Sequence, residues 1–208
     1  MVQAVLGTLV RMVVVALMIH ALLAQAPLPP KPPPPAAGER SAIKTKIAEM
    51  HPSGKLEQDL LALARTYLDR SNRTAPENPF VSTRDLVAAG ALAHAVDHQQ
   101  HMLNNPAPPP PSIEEITRHL DRVYFRLQQA DYFVKQSVDP DAKAIAAFAR
   151  EYYERAVKAR DRSEARTADE SAKSADECMR ALESLAQASV AVPPPRPPGP
   201  PAHPSHLL

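Results

Sequence analysis

Residues 112–134 read SIEEITRHLDRVYFRLQQADYFV. Apolar side chains recur there at Ile113, Ile116, Leu120, Val123, Leu127, Ala130 and Val134, in alternating steps of three and four. That spacing holds one stripe on one face of a helix, and it is the heptad seam of helices that pack side by side. Ser112, with Glu115 three residues on, is a capping box: the hydroxyl and the carboxylate satisfy each other's backbone N–H groups where the helix begins. The stretch therefore predicts a helix that needs neighbouring helices to cover its seam.

The same pattern continues on both sides. Downstream, Asp139-Pro140 supplies an N-cap and a proline for the first helical position, and the next helix presents Ile145, Phe148, Ala149, Tyr152 and Ala156. Thr167-Ala168-Asp169-Glu170 has the form of another capping box. The helix it would start carries Ser171, Ala175, Cys178, Leu182 and Leu185 on one line, small enough to allow close approach. Residues 160–166 hold no Gly or Pro, so one long helix across them is a second reading. Upstream, a short helix over 41–50 ends at His51-Pro52-Ser53-Gly54, a strong breaker. The following helix places Leu56, Leu60, Leu63, Ala64, Tyr67, Leu68 and Ser71 at three- and four-residue steps and stops before Thr74. Ser82 with Asp85 resembles an N-cap pair for a helix reaching about Asn104.

The fold class that follows is all-α: an antiparallel helical bundle of about five to six helices over residues 40–190. Ala64-Arg65-Thr66-Tyr67-Leu68-Asp69-Arg70 matches Ala149-Arg150-Glu151-Tyr152-Tyr153-Glu154-Arg155, 85 residues later, and each copy precedes an Ala-rich helix. Two readings stand: two related helical hairpins joined by the heptad helix, or a coincidence between amphipathic helices of similar composition. The hairpins faintly resemble tetratricopeptide-type units, but the spacing is too long for a solenoid.

Composition places the rest of the chain. Of its 208 residues 24 are proline, and most of these fall in three clusters, at 27–35, 106–111 and 193–204. Residues 27–39 are expected to form an extended polyproline II spacer and 191–208 a disordered tail, since such segments can neither pack a core nor continue a helix. The cluster at 106–111 reads as a rigid connector. Residues 1–26 carry one charge, Arg11, followed by an apolar run and Ala24-Gln25-Ala26. That is the signature of a signal peptide; a retained membrane anchor is the alternative, with Pro27 a poor residue to follow a cleavage site. The expected location is extracytoplasmic, with membrane contact only through an uncleaved N-terminus.

Charge excludes a nucleic-acid partner. Lys plus Arg number 24 and Asp plus Glu 23, without the basic stripe that phosphate neutralisation requires. The run Lys158, Arg160, Arg162 and Arg166 is interleaved with Asp161, Glu164, Asp169 and Glu170 and reads as a solvated surface. Cys178 stands alone, so it can form neither an internal disulfide nor a multi-thiolate metal site, and it reads as a small buried group.

One constellation points to chemistry. His94, His98 and His101 lie at i, i+4 and i+7, within about 60° on a helix. Asp97 borders them, and His119 on the heptad helix would add a ligand if the two helices pack together. Imidazoles one turn apart can share Zn²⁺ or Cu²⁺. Against this, Val87 and Ala91 share that face and turn part of it inward. No H-E-x-x-H, C-x-x-C-H, G-x-S-x-G or phosphate-cradling glycine pattern occurs. Glu114-Glu115 and Asp169-Glu170 read as first-turn acids that suit the helix dipole. The expectation is thus a non-enzymatic protein, with no cofactor, that acts through protein contacts or self-association. Its rivals are a small metal-binding bundle using the histidine face and a peptide-binding hairpin scaffold.

Overall fold

The structure is a computed structural model and describes residues 37–104, 109 and 111–190, without the side chains of residues 37 and 101–104. The segments expected as leader (1–26) and tail (191–208), the expected spacer (27–39) as far as residue 36, and most of the 106–111 connector lie outside the described residues; residues 37–39, expected as spacer, instead open the first helix, since Ala37-Gly38-Glu39 lies beyond the prolines. Among the described residues the chain is all-helical: α1 (Ala37–Glu49), α2 (Lys55–Thr74), α3 (Pro79–Asn104), α4 (Ile113–Leu127), α5 (Ala130–Gln136), α6 (Ala142–Asp161) and α7 (Ala165–Val190).

The long helices form two hairpins. In each a helix of 20 residues is followed by one of 26: α2 and α3 in the first, α6 and α7 in the second. Burial repeats with the same offset. Leu60, Leu61, Ala64, Tyr67 and Ser71 of α2 are buried, and so are Ile145, Ala146, Ala149, Tyr152 and Ala156, each 85 residues on in α6. Leu86, Ala89, Leu92 and Val96 of α3 are matched by Ala172, Ala175, Cys178 and Leu182 of α7, each 86 residues on. Equal lengths and a shared burial register favour two related hairpins over coincidence.

The hairpins meet through α3 and α7. Ser184 Oγ donates to the Arg84 carbonyl at 2.9 Å, Ser174 Oγ to the Ala95 carbonyl at 2.8 Å, and Gln99 Nε2 to Ser174 Oγ at 2.8 Å. Partners rise along one helix as they fall along the other, so the two run antiparallel. Alanine and serine at the seam let the backbones come close enough for side chain to reach carbonyl. α3 is covered from several sides, which is why Ala88, Ala89, Ala91, Leu92, Ala93, Ala95 and Val96 are all buried. On another side α1 crosses it at Gly90, where a Cβ would stand 3.1 Å from Ile43 Cδ1.

The capping box at Ser112 is formed: Ser112 Oγ accepts from Glu115 N at 3.2 Å, and Ser112 N donates to Glu115 Oε2 at 2.8 Å. The helix it starts does not run through to Val134. It divides after Leu127, where Gln129 N bonds the Arg126 carbonyl, three residues back, and the chain tightens before α5. The seam survives the break: Ile116, Leu120, Val123, Leu127 and Ala130 are buried, whereas Ile113 is exposed.

Three expected helix starts are corrected. Ser82 and Asp85 lie inside α3, because Asn78 caps it four residues before Ser82, its Oδ1 accepting from Val81 N at 3.1 Å, with Pro79 in the first turn. Thr167 and Glu170 lie inside α7, which starts at Ala165. A continuous helix over 160–166 is broken by Ser163, whose φ of 61° is left-handed. At the third start, Asp139 Oδ1 accepts from Asp141 N at 3.0 Å, so Pro140 sits in the turn before α6 and not within it.

Candidate functional site

Tyr67 and Arg70, one turn apart on α2, face Asp139 at the start of α6. Tyr67 Oη donates to Asp139 Oδ1 at 2.8 Å, and Arg70 Nη1 to Asp139 Oδ2 at 2.6 Å. The same guanidinium grips Asp85 of α3 with two bonds, at 2.8 and 2.6 Å, and lies 4.7 Å over the Tyr67 ring. The second hairpin returns the arrangement. Tyr152 Oη donates to Glu57 Oε1 at 3.2 Å, Arg155 Nη1 donates to the same oxygen at 2.8 Å, and Arg155 lies over the Tyr152 ring. Each hairpin thus reaches across to a carboxylate at the start of the other's first helix.

The two copies differ in what else holds the arginine: Arg155 also reaches Gln99 Oε1 at 3.5 Å and Glu151 at 3.7 Å. Asp85 clamps Arg70, whereas Ser171, the matching residue of α7, has a buried hydroxyl with no hydrogen-bond partner among the described residues. Burial pushes Asp85 above the ordinary carboxylate range, with the Arg70 bonds pulling the other way. Burial likewise raises the Tyr67 and Tyr152 hydroxyls and the Cys178 thiol, so these groups stay protonated. Groups bonded to one another in this way hold the helices together.

The histidines are drawn into another network. His98 Nδ1 lies 2.8 Å from Glu170 Oε2; Lys173 bridges Glu170 at 2.9 Å and Asp169 at 2.7 Å; Asp169 Oδ1 lies 3.7 Å from His119 Nδ1. His98 and His119 therefore stand at the two ends of a chain of charges along α7. Asp169 and Glu170, expected as first-turn acids, are the central members of this chain. His94 is exposed, with Nδ1 3.2 Å from Lys46 Nζ, and Lys46 also pairs with Asp97 at 2.6 Å. Burial and the Lys46 charge hold the His94 imidazole below its ordinary value. The side chain of His101 lies outside the described residues. Among the described residues no three His, Cys, Asp or Glu side chains converge as a metal-holding group.

The surface feature that sequence reasoning missed is aromatic. The most exposed large apolar side chains are Tyr124 (53%), Phe125 (68%), Tyr132 (61%), Val138 (82%) and Val190 (74%), with Ile113 beside them in sequence on α4. All lie on α4, on α5, in the turn after α5 or at the last residue of α7; among the described side chains none lies on α1, α2, α3 or α6. The signal was present in Tyr124-Phe125 and Tyr132-Phe133, which flank the buried seam but do not belong to it. Between α4, α5 and α6 lies a groove of about 340 Å³. Tyr124, Tyr153 and Leu127 give it apolar walls, and Gln128, Asp131, Arg150 and Glu154 a polar rim. The Tyr124 and Tyr153 rings are 6.0 Å apart, and Arg150 Nη2 bonds Asp131 Oδ1 at 2.7 Å.

No protein-family model, curated protein or solved structure matches this chain.

Among the described residues no helix is long and apolar enough to cross a membrane. Within the basic run, Lys158 pairs with Glu154, Arg160 with Asp161 and Arg162 with Glu164.

Proposed function

We propose that this is a non-enzymatic, exported or envelope-associated helical protein that works by presenting the α4–α5 face to a protein partner. The observation that carries the reading is the confinement of exposed Tyr124, Phe125, Tyr132 and Val138 to the segment that joins the hairpins. Scattered apolar residues are ordinary on a protein surface, but here four large ones come from a single stretch, residues 124–138, as a contact segment would supply them. Tyrosine and phenylalanine are also the residue types that dominate interface cores. Export rests on residues 1–26, with their single charge, apolar run and small residues at the end. Balanced charge speaks for a protein partner and against nucleic acid.

The test is site-specific photo-crosslinking in the envelope fraction of the source cells. A photoreactive phenylalanine analogue at Phe125 or Tyr132 is expected to capture a defined partner, and the same group at exposed Arg65 on α2 is expected to capture none. Equal capture from all three positions sinks the proposal. A crosslinked species of twice the chain's mass would identify the partner as a second copy.

The histidine face supports a second reading, binding of Zn²⁺ or Cu²⁺, on the ground that His94 and His98 stand one turn apart at the surface of α3. Lys46, which sits against both His94 and Asp97, works against it. Calorimetric titration of the full chain decides: micromolar binding lost in His98→Ala supports the metal reading, and millimolar or undetectable binding ends it.

A further inference from the structure

We propose that the groove between α4, α5 and α6 receives the proline-rich segment 193–204 of the same chain, with Arg196 set against Asp131 and Glu154. This rests on reading the α4–α5 face as a contact surface, and it names one occupant for one part of that face.

The walls suit such a segment. A polyproline II stretch has no internal hydrogen bonds, so its carbonyls need donors while its rings need flat apolar surfaces. Tyr124 and Tyr153 offer two rings side by side, and Gln128 and Arg150 stand at the rim with N–H groups to donate. Charge also fits. The rim carries two acids and one base, and Asp131 and Glu154 keep most of their surface in water: their side chains are 80% and 68% exposed, and Glu154 pairs with Lys158 at the long distance of 4.0 Å. Segment 193–204 contains eight prolines, and its single charged residue at neutral pH with histidine uncharged is Arg196.

The path favours the same chain. Ser189 Oγ accepts from Val138 N at 2.9 Å, which ties the end of α7 to the turn after α5. From there to Asp131 the chain runs back along α5, about 1.5 Å per residue, roughly 10 Å with the turn. Five residues, 191–195, can span up to about 15 Å at about 3.1 Å each, enough chain for Arg196 to reach the acidic rim. Of the other two proline clusters, 27–35 leads into α1, which packs on α2 and α3 of the first hairpin, and 106–111 meets α4 at Ser112, about 18 Å along the helix from Tyr124, whereas the groove lies at the far end of α4 against α6. A short tether also supplies an effective concentration of about a millimolar, enough to fill a weak site in the same molecule.

Fluorine NMR of the full chain with 3-fluorotyrosine at its five tyrosines tests this, with resonances assigned by single Tyr→Phe substitutions. Two variants of unchanged length are compared: one with prolines 193–195, 197, 198, 200 and 201 replaced by serine, and one carrying Arg196→Glu. The Tyr124 and Tyr153 signals are expected to move in both, while those of buried Tyr67 and Tyr152 stay in place and report an intact fold. A synthetic peptide of residues 191–205 added to the serine variant should restore the two signals with submillimolar half-saturation, and its Arg196→Glu version should need at least tenfold more. Groove signals that are identical with and without the prolines overturn the proposal. Signals that lose their tail dependence on dilution also overturn it, because they assign the groove to a second copy's segment. Phe125 and Tyr132 do not line the groove, so crosslinking from them succeeds or fails independently of this result.

Discussion

Arg70 shows how much one side chain can hold in a small-residue bundle. Its guanidinium joins α2 to α3 through Asp85 and to the start of α6 through Asp139, and both carboxylates are almost wholly buried. Removing the cation leaves two buried anions facing each other. Arg70→Met is therefore expected to cost about 3–5 kcal/mol, measured as a shift in the urea midpoint. Arg155→Met should cost less than half of that, because Arg155 is more exposed and, of the two carboxylates it pairs with, Glu57 is buried whereas Glu151, at 3.7 Å, is mostly in water. Equal losses would refute this ranking. Asp169 carries a pH dependence of known sign. Burial raises its pKa, but hydrogen bonds from His119 and Lys173 outweigh that and hold the carboxyl below the ordinary range. A carboxyl depressed on folding adds stability that is present above its unfolded pKa, near 4, and lost as pH falls through its folded value. Asp169→Asn should accordingly destabilise the protein at pH 7 and flatten the stability profile below about pH 4; an unchanged acid limb would contradict it.

At the scale of elements, the breaks follow rules weaker than the periodicity. Heptad spacing, the Ser112 capping box and the buried line through Cys178 were legible because burial needs only the helical period, which the residue order displays. Ser82-Asp85 and Thr167-Glu170 misled because a hydroxyl followed three residues later by an acid occurs inside helices as well as at their starts. There it is the upstream sequence, Asn78-Pro79, or the backbone of Ser163, that decides. The histidines were read at the right spacing, but nothing local announced that Glu170, 72 residues away, would meet His98. Ser163 gives this scale its prediction. A left-handed φ of 61° is disfavoured for any residue with a Cβ. Ser163→Gly should relieve the strain and, after the unfolded chain's added freedom, leave the protein neutral to about 1 kcal/mol more stable. Ser163→Val should destabilise it by about 1–2 kcal/mol. If Val were tolerated as well as Gly in thermal melts, the α6–α7 turn would not have the left-handed geometry that ends α6.

For the molecule as a whole, the question is whether two related hairpins behave as one unit. Proteins built from stacked repeats often unfold piecemeal, since each repeat touches only its neighbours. Here the hairpins share a long α3–α7 seam, and each places a tyrosine and an arginine on a carboxylate of the other. Neither hairpin can open without stranding charged groups that belong to its counterpart, so a single cooperative transition is expected. Leu60 and Ile145 are the paired probes: each is fully buried at the matching position of its hairpin's first helix. Leu60→Ala and Ile145→Ala should each cost about 2–5 kcal/mol. Each should also lower hydrogen-exchange protection in both hairpins together, because damage to one half is felt as a loss of global stability. Protection lost only in the mutated hairpin, or a urea curve with two steps, would show that the reciprocal pairs are incidental. The α4–α5 segment lies outside this exchange of contacts and carries the exposed aromatics. Phe125→Ser should therefore leave the transition within about 0.5 kcal/mol of the parent, which separates what that face does for a partner from what the hairpins do for the fold.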